Sequence, residues 1–237
     1  MKTALFLFNS SSYAVQPWLD SEDWACVSVD FNDTDHSGSH RRHDDDPNHY
    51  RLNIDLSSPH AAQWVDEGLA SLGLEKPSFI LSFTPCTDLS VAGNRHRAAK
   101  LEENPNCIKL AVRQARLVEA WPCPSIVENP VSILSSEWKK PEGYVDPYQF
   151  SYLLPNDDVH PEFPDIYPSG DWYNKKTGLW CQNGAVMPKV DKEAVKPNEI
   201  FVGWSKLGGK SARTKYIRSL TPRGMAKAIY LANGVEK

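Results

Sequence analysis

Short apolar runs alternate with helix-period segments through the first 130 residues. Ala4–Phe8 is unbroken in its apolar character, as expected of a strand buried on both faces. Trp24–Asp30 and Phe79–Phe83 carry the same signature, and Leu52–Leu56 and Ser125–Val127 carry shorter versions of it. Between these runs the period lengthens. Val15–Glu22 predicts a short helix with Pro17 near its start, and Ser58 to Leu72 predicts a longer one with Pro59 at the first helical position. Cys107–Trp121 sets Ile108, Ala111, Val112, Ala115 and Val118 at helical spacing, with Pro105 and Pro122 as brackets. Strands and helices in this alternation predict an α/β fold with a doubly wound, mostly parallel sheet. Ligands of such sheets bind outside the carboxyl ends of the strands, so the residues just after each strand are the ones to examine.

The texture changes after residue 130. Residues 131–205 are rich in Pro, Trp, Tyr, Asp and Asn and show little periodicity, which predicts an irregular insertion of long loops with short strands, a kind that is usually functional. Tyr144, Tyr148, Phe150, Tyr152, Trp172, Tyr173 and Trp180 lie in it, as base-stacking surfaces or as a small core of their own. Residues 206–237 form a basic segment ending in a helix that returns to the core, with Thr221 as N-cap, Pro222 at the first position and Gly234 past the end. Residues 1–130 are then the catalytic α/β core.

Composition narrows the picture. A hydrophobic fraction of 41% over 237 residues supports a packed core, and no apolar run is long enough to span a membrane. No signal-peptide pattern follows Lys2, so a soluble, cytoplasmic protein without a membrane partner or an obligate protein partner is expected. Cys26, Cys86, Cys107, Cys123 and Cys181 are scattered without a CxxC pair, which argues against both a disulfide framework and a zinc site. His36, His40, His43 and His49 with Asp44–Asp46 read as a charged loop, so no metal is expected. The net charge is −4, but the charge is uneven: from Ile200 onward eight basic residues stand against Glu236 alone. Lys206, Lys210, Arg213, Lys215 and Arg218 are therefore candidates for a phosphate-binding strip on an otherwise acidic protein.

Two strand ends carry the candidate chemistry. Cys86 follows the apolar strand Phe79–Phe83 behind Pro85, which exposes a thiol at the ligand edge of the sheet. Glu128 ends the next strand, ahead of Asn129-Pro130, as a carboxylate or acid at the same edge. Cys123, in a Pro-Cys-Pro step on the opposite edge, reads as structural.

Pro85-Cys86-x-x-x-Ser90-x-Ala92-Gly93 is similar to the Pro-Cys-Gln-x-x-Ser-x-Ala-Gly motif of the DNA cytosine-C5 methyltransferases. Glu128-Asn129-Pro130, beginning 42 residues after Cys86, resembles their Glu-Asn-Val motif with proline in place of valine, as in phage-type members. Val27-Ser-Val-Asp30 resembles the strand whose acid binds the cofactor ribose, and Asp55-Leu56 the Asp-Ile step that meets the adenine. Arg218-Ser-Leu-Thr-Pro-Arg223 resembles the Arg-x-Leu-Thr-x-Arg stretch of the late helix.

The resemblance implies a class I methyltransferase-like sheet, target recognition by residues 131–205 and a transferase acting on DNA, with the target cytosine flipped from the stack. It implies Cys86 as the nucleophile at C6 and Glu128 as the acid at N3. Phe8, Asp30, Asp55 and Pro85 would bind S-adenosylmethionine, and Asn129, Pro130, Arg213, Arg218 and Arg223 the DNA. The chain departs from the family at Phe8-Asn9-Ser10-Ser11-Ser12, where Phe-x-Gly-x-Gly is usual. Loss of both glycines removes easy access to positive φ and close backbone approach. A folate one-carbon donor such as methylenetetrahydrofolate, giving hydroxymethylcytosine, is the alternative, with a non-catalytic DNA-binding relative as a third reading. The family's Gln-x-Arg-x-Arg motif has no counterpart in the sequence.

Overall fold

The computed structural model describes residues 1–9, 11–31, 46–90, 97–198, 201, 207 and 211–235. Its centre is a seven-stranded sheet in the order β3-β2-β1-β4-β5-β7-β6. The strands are β1 Lys2–Leu7, β2 Trp24–Asp30, β3 His49–Asn53, β4 Phe79–Phe83, β5 Ser125–Pro130, β6 Gly143–Val145 and β7 Thr177–Gln182. Strands β1 to β5 pair in parallel, whereas β7 runs antiparallel to both β5 and β6. The expected α/β class with a mostly parallel sheet is therefore observed.

Helices cover both faces, and the alternation of side chains along each strand explains why. In β1, Ala4 and Phe6 point into one apolar layer and Leu5 and Leu7 into the other. The first layer is closed by α1 (Gln16–Leu19), the 3₁₀ segment Pro147–Leu153 and the C-terminal helix, which give Trp18, Phe150, Met225 and Ile229. The second is closed by α2 (Ala61–Ser71) and, beyond α3 (Arg97–Glu103), by α4 (Cys107–Ala115) with its 3₁₀ continuation Arg116–Ala120. A short helix α5 (Leu134–Glu137) follows β5, and α6 (Ala212–Ser219) precedes α7 (Arg223–Asn233). No helix among the described residues is long and apolar enough to cross a membrane.

Three expectations shift. Leu52–Leu56 is not the third strand; the strand lies at His49–Asn53 and stops where Asp55 Oδ1 accepts the Ser57 N–H and Oγ–H, turning the chain. As an edge strand with polar positions, β3 lacks the apolar density that marks the others. Thr221 does not cap the last helix: Pro222 holds that position, and Asp171 Oδ2 accepts the Arg223 N–H at 2.6 Å. Residues 131–205 are not all irregular either. They supply β6 and β7 to the central sheet and bury Val145, Phe150 and Leu179 in its first layer. Gly224 belongs to the same packing, since a Cβ there would lie 2.6 Å from the Phe150 carbonyl oxygen.

Candidate active site

The loop after β4 is fixed before it reaches the thiol. Thr84 is buried, and its carbonyl accepts the Asn129 Nδ2–H at 2.8 Å. Asn129 is itself fully buried and anchors the loop from the end of β5, while its Oδ1 has no hydrogen-bond partner among the described residues. Pro85, Cys86 and Thr87 then lie exposed. The Leu89 and Ser90 N–H groups close back on the Cys86 carbonyl at 3.1 and 2.8 Å, and Leu89 is buried as the loop's apolar anchor. Ser90 bridges Ser132, and the Ile133 N–H donates to the Leu89 carbonyl at 3.0 Å. The two strand-end loops are thus joined to each other. Lys100 Nζ, on α3, donates to Asp88 Oδ1 at 2.9 Å and to the Thr87 carbonyl.

Glu128 stands opposite Phe83 in the β4–β5 register, which brings its carboxyl to the Cys86 loop. Burial raises its proton affinity above its ordinary value; the Lys175 ammonium and the nearby Thr177 hydroxyl pull the other way. The net rise favours the protonated acid, the form that donates a proton. Solvent reaches Cys86, yet the surrounding protein desolvates the thiol and raises its proton affinity. The Glu128 charge raises it further, and Lys175, the Cys86 N–H and Lys100 lower it. The ends of β4 and β5 thus place the Glu128 carboxyl near enough for its charge to act on the Cys86 thiol.

Lys175 was not anticipated from the sequence. It precedes β7, and because β7 runs antiparallel, its start lies at the edge where the parallel strands end. The signal was the lysine pair Lys175-Lys176 leading into the apolar run Gly178–Cys181.

The other expected site residues divide. Phe8 follows β1 at φ 55°, a left-handed conformation that a side chain adopts at a cost. Asn9 donates to Ser28 Oγ at 3.1 Å, and Asn9, Ser11 and Ser12 are buried. Asp30 and Asp55 are half-buried at the carboxyl ends of β2 and just past β3. Asp30 Oδ1 accepts the Phe31 N–H at 2.7 Å, and the Ser57 hydrogen bonds hold the Asp55 carboxyl below its usual range. Pro85 and Pro130 flank the two catalytic candidates.

On α6, Arg213 is exposed with its guanidinium over the Phe163 ring at 5.8 Å, Lys215 is exposed, and Arg218 is half-buried. Arg223 is not available for phosphate. Its guanidinium is clamped by Asp158 at 2.6 and 2.8 Å and by Asp171 at 3.0 Å, all largely buried. Arg223→Met is expected to lower stability by roughly 3 kcal/mol, because two buried carboxylates lose their partner. Thermal unfolding of the variant would show this.

Of the aromatic series, Phe150, Tyr173 and Trp180 are buried core, whereas Tyr144, Tyr152 and Trp172 are exposed. Cys123 is buried, with its thiol pushed up to about 11. His49 lies in β3 with Nε2 3.0 Å from Ser28 Oγ. Ala92, Gly93, His36, His40, His43, Asp44, Asp45, Lys206 and Lys210 lie outside the described residues. Among the described residues no group of three or more His, Cys, Asp or Glu side chains is placed to hold a metal ion.

No protein-family model matches the chain, and no curated protein matches it. Solved structures are similar over part of it. The FabI–NADH complex from Alistipes finegoldii aligns with 50% of this chain and 46% of its own, at 16% identity and a TM-score of 0.33. Salutaridine reductase from Papaver somniferum aligns with 51% of this chain and 50% of its own, at 14% identity and a TM-score of 0.31. The chain thus spans about half the length of either structure.

Proposed function

We propose that the protein modifies cytosine in DNA at C5, with Cys86 as the nucleophile and Glu128 as the acid. The observation that carries this reading is the placement of an exposed thiol and a carboxyl whose proton affinity burial raises at the ends of two adjacent strands. Cytosine C5 is a poor nucleophile until a thiolate adds at C6. As the Sγ–C6 bond forms, the C5=C6 electron pair moves to C4=C5, the C4=N3 pair moves onto N3, and N3 takes the Glu128 proton. C5 then accepts a one-carbon unit, and loss of the C5 proton with breakage of the Sγ–C6 bond releases the product. The base must leave the helix stack to reach these groups. The reversal of β7 beside β5 also sets this sheet apart from the dinucleotide-binding strand order 3-2-1-4-5-6.

S-adenosylmethionine is the first choice of donor and supplies an electrophilic methyl group when bound. Asp30 would hold its ribose hydroxyls and Asp55 its adenine amino group. At the opposite end, the Ser12 hydroxyl is buried without a hydrogen-bond partner among the described residues, which suits a polar ligand group. The missing glycines favour the second choice, a folate one-carbon donor and hydroxymethylation. Mass spectrometry of nucleosides from DNA incubated with either donor tests both. 5-Methylcytosine with S-adenosylmethionine is the expected product, 5-hydroxymethylcytosine with methylenetetrahydrofolate would select the second donor, and neither product would refute the proposal.

DNA is the partner this reading requires, and α6 offers the cations. Neutralising the exposed Arg213 and Lys215 is expected to weaken binding and to lower the log–log salt slope by about one unit for each phosphate-binding charge removed. Base preference should persist, because interactions with phosphate carry no sequence information. Anisotropy titrations at several salt concentrations measure both; a wild-type slope would move the DNA path off α6.

A further inference from the structure

We propose that Lys175 is the fixed counter-charge for a single negative charge that starts on the Cys86 thiolate and ends on the Glu128 carboxylate. This rests on the assignment of nucleophile and acid above.

Lys175 is held from several sides. Its N–H donates to Asp146 Oδ1 at 2.8 Å, and its carbonyl accepts the Thr177 hydroxyl at 3.1 Å. Its Nζ donates to the Arg218 carbonyl at 3.2 Å and, at the limit of a hydrogen bond, to the Leu220 carbonyl at 3.5 Å. Those oxygens belong to the C-terminal end of α6, where helix carbonyls lack intrahelical partners and the helix dipole is negative. Neutral carbonyls fix an ammonium without cancelling its charge. Asp146 is the nearby acid, and its own charge is met by Lys176 and Lys196. The Lys175 charge is thus left to act on the pair, and it favours the ionised form of both Cys86 and Glu128.

Among the described residues, the other groups acting on the pair are Lys100 toward Cys86, and Thr177 and Tyr173 toward Glu128. With Lys175 cationic, one negative charge on the pair balances the site. The reactive arrangement places it on Sγ, with the proton on Glu128. On attack the thiolate pair becomes the Sγ–C6 bond, N3 takes the proton, and the O–H electrons remain on the carboxylate. The charge moves from sulfur to oxygen past a cation that does not move, and the net charge of the site is unchanged. Such an arrangement needs little reorganisation during the step.

The test is the pH dependence of Cys86 alkylation by iodoacetamide, mapped by peptide mass spectrometry on the full chain without DNA or donor. Lys175→Gln keeps a donor for the Arg218 carbonyl and removes the charge. It is expected to move the alkylation profile to higher pH and slow the neutral-pH rate about tenfold, the equivalent of one pKa unit. Lys175→Arg should keep the wild-type profile, and adding Glu128→Gln to Lys175→Gln should restore most of the loss. A wild-type profile in Lys175→Gln would overturn the proposal. So would failure of that variant to fold, since the role would then be structural. Alkylation requires no catalysis, so a normal shift alongside failed trapping of a cytosine analogue would sink the functional reading and leave the electrostatics standing.

Discussion

Cys86→Ser is expected to reduce cytosine modification below detection while leaving the thermal unfolding midpoint unchanged. A serine hydroxyl at neutral pH supplies almost no anion, and the sulfur-to-carbon addition that activates C5 has no other nucleophile to start it. The remaining cysteines are buried, and burial raises the thiols of Cys26, Cys123 and Cys181. None is a substitute. Because Cys86 is exposed and its loop is held through Thr84, Leu89 and Ser90, the substitution sits among surface changes that move stability by about 0.5 kcal/mol or less. Product quantification and a thermal melt on the same preparation check both halves. Retained product formation would remove Cys86 from the chemistry.

Glu128→Gln keeps the shape of the side chain and its ability to donate a hydrogen bond, but it has no proton to give. Turnover is expected to fall by roughly two to four orders of magnitude, the usual reach of general acid catalysis. Binding of DNA should change little. The wild-type pH profile follows from the signs. Glu128 must be protonated, so turnover is lost as pH rises through its raised value. Cys86 must be ionised, so turnover is lost as pH falls below the thiol's. The two groups interact, and the limbs of the resulting bell belong to the pair. Steady-state rates across pH for both proteins measure this. An unaltered rate in Glu128→Gln would make the residue structural.

The parallel half of the fold was legible because its strands are buried on both faces and therefore uninterrupted in sequence. Trp24–Asp30 and Phe79–Phe83 coincide with β2 and β4 residue for residue. Cys86 and Glu128 were singled out as candidates by the rule that ligands gather after the strands of a parallel sheet. The same rule is blind to Lys175, since an antiparallel strand brings its beginning, and not its end, to that edge. The strands β6 and β7 were missed because β6 is short and the Pro-rich segments around both hide their period. Arg223 was misassigned because a basic residue near a basic tail looks solvated, and only the fold reveals Asp158 and Asp171 waiting 65 and 52 residues away. The role of Asn129 in anchoring the Cys86 loop, through its bond to the Thr84 carbonyl, was likewise visible only in the fold.

Covalent trapping on DNA containing 5-fluorocytosine tests the central claim most directly. After attack and one-carbon transfer, fluorine cannot depart as a proton does, so the enzyme remains bonded to the base. With S-adenosylmethionine or methylenetetrahydrofolate supplied, a denaturant-stable protein–DNA adduct is expected, and digestion should place the modified base on the peptide containing Cys86. No adduct with either donor, or an adduct on Cys107 or Cys123, would contradict the account.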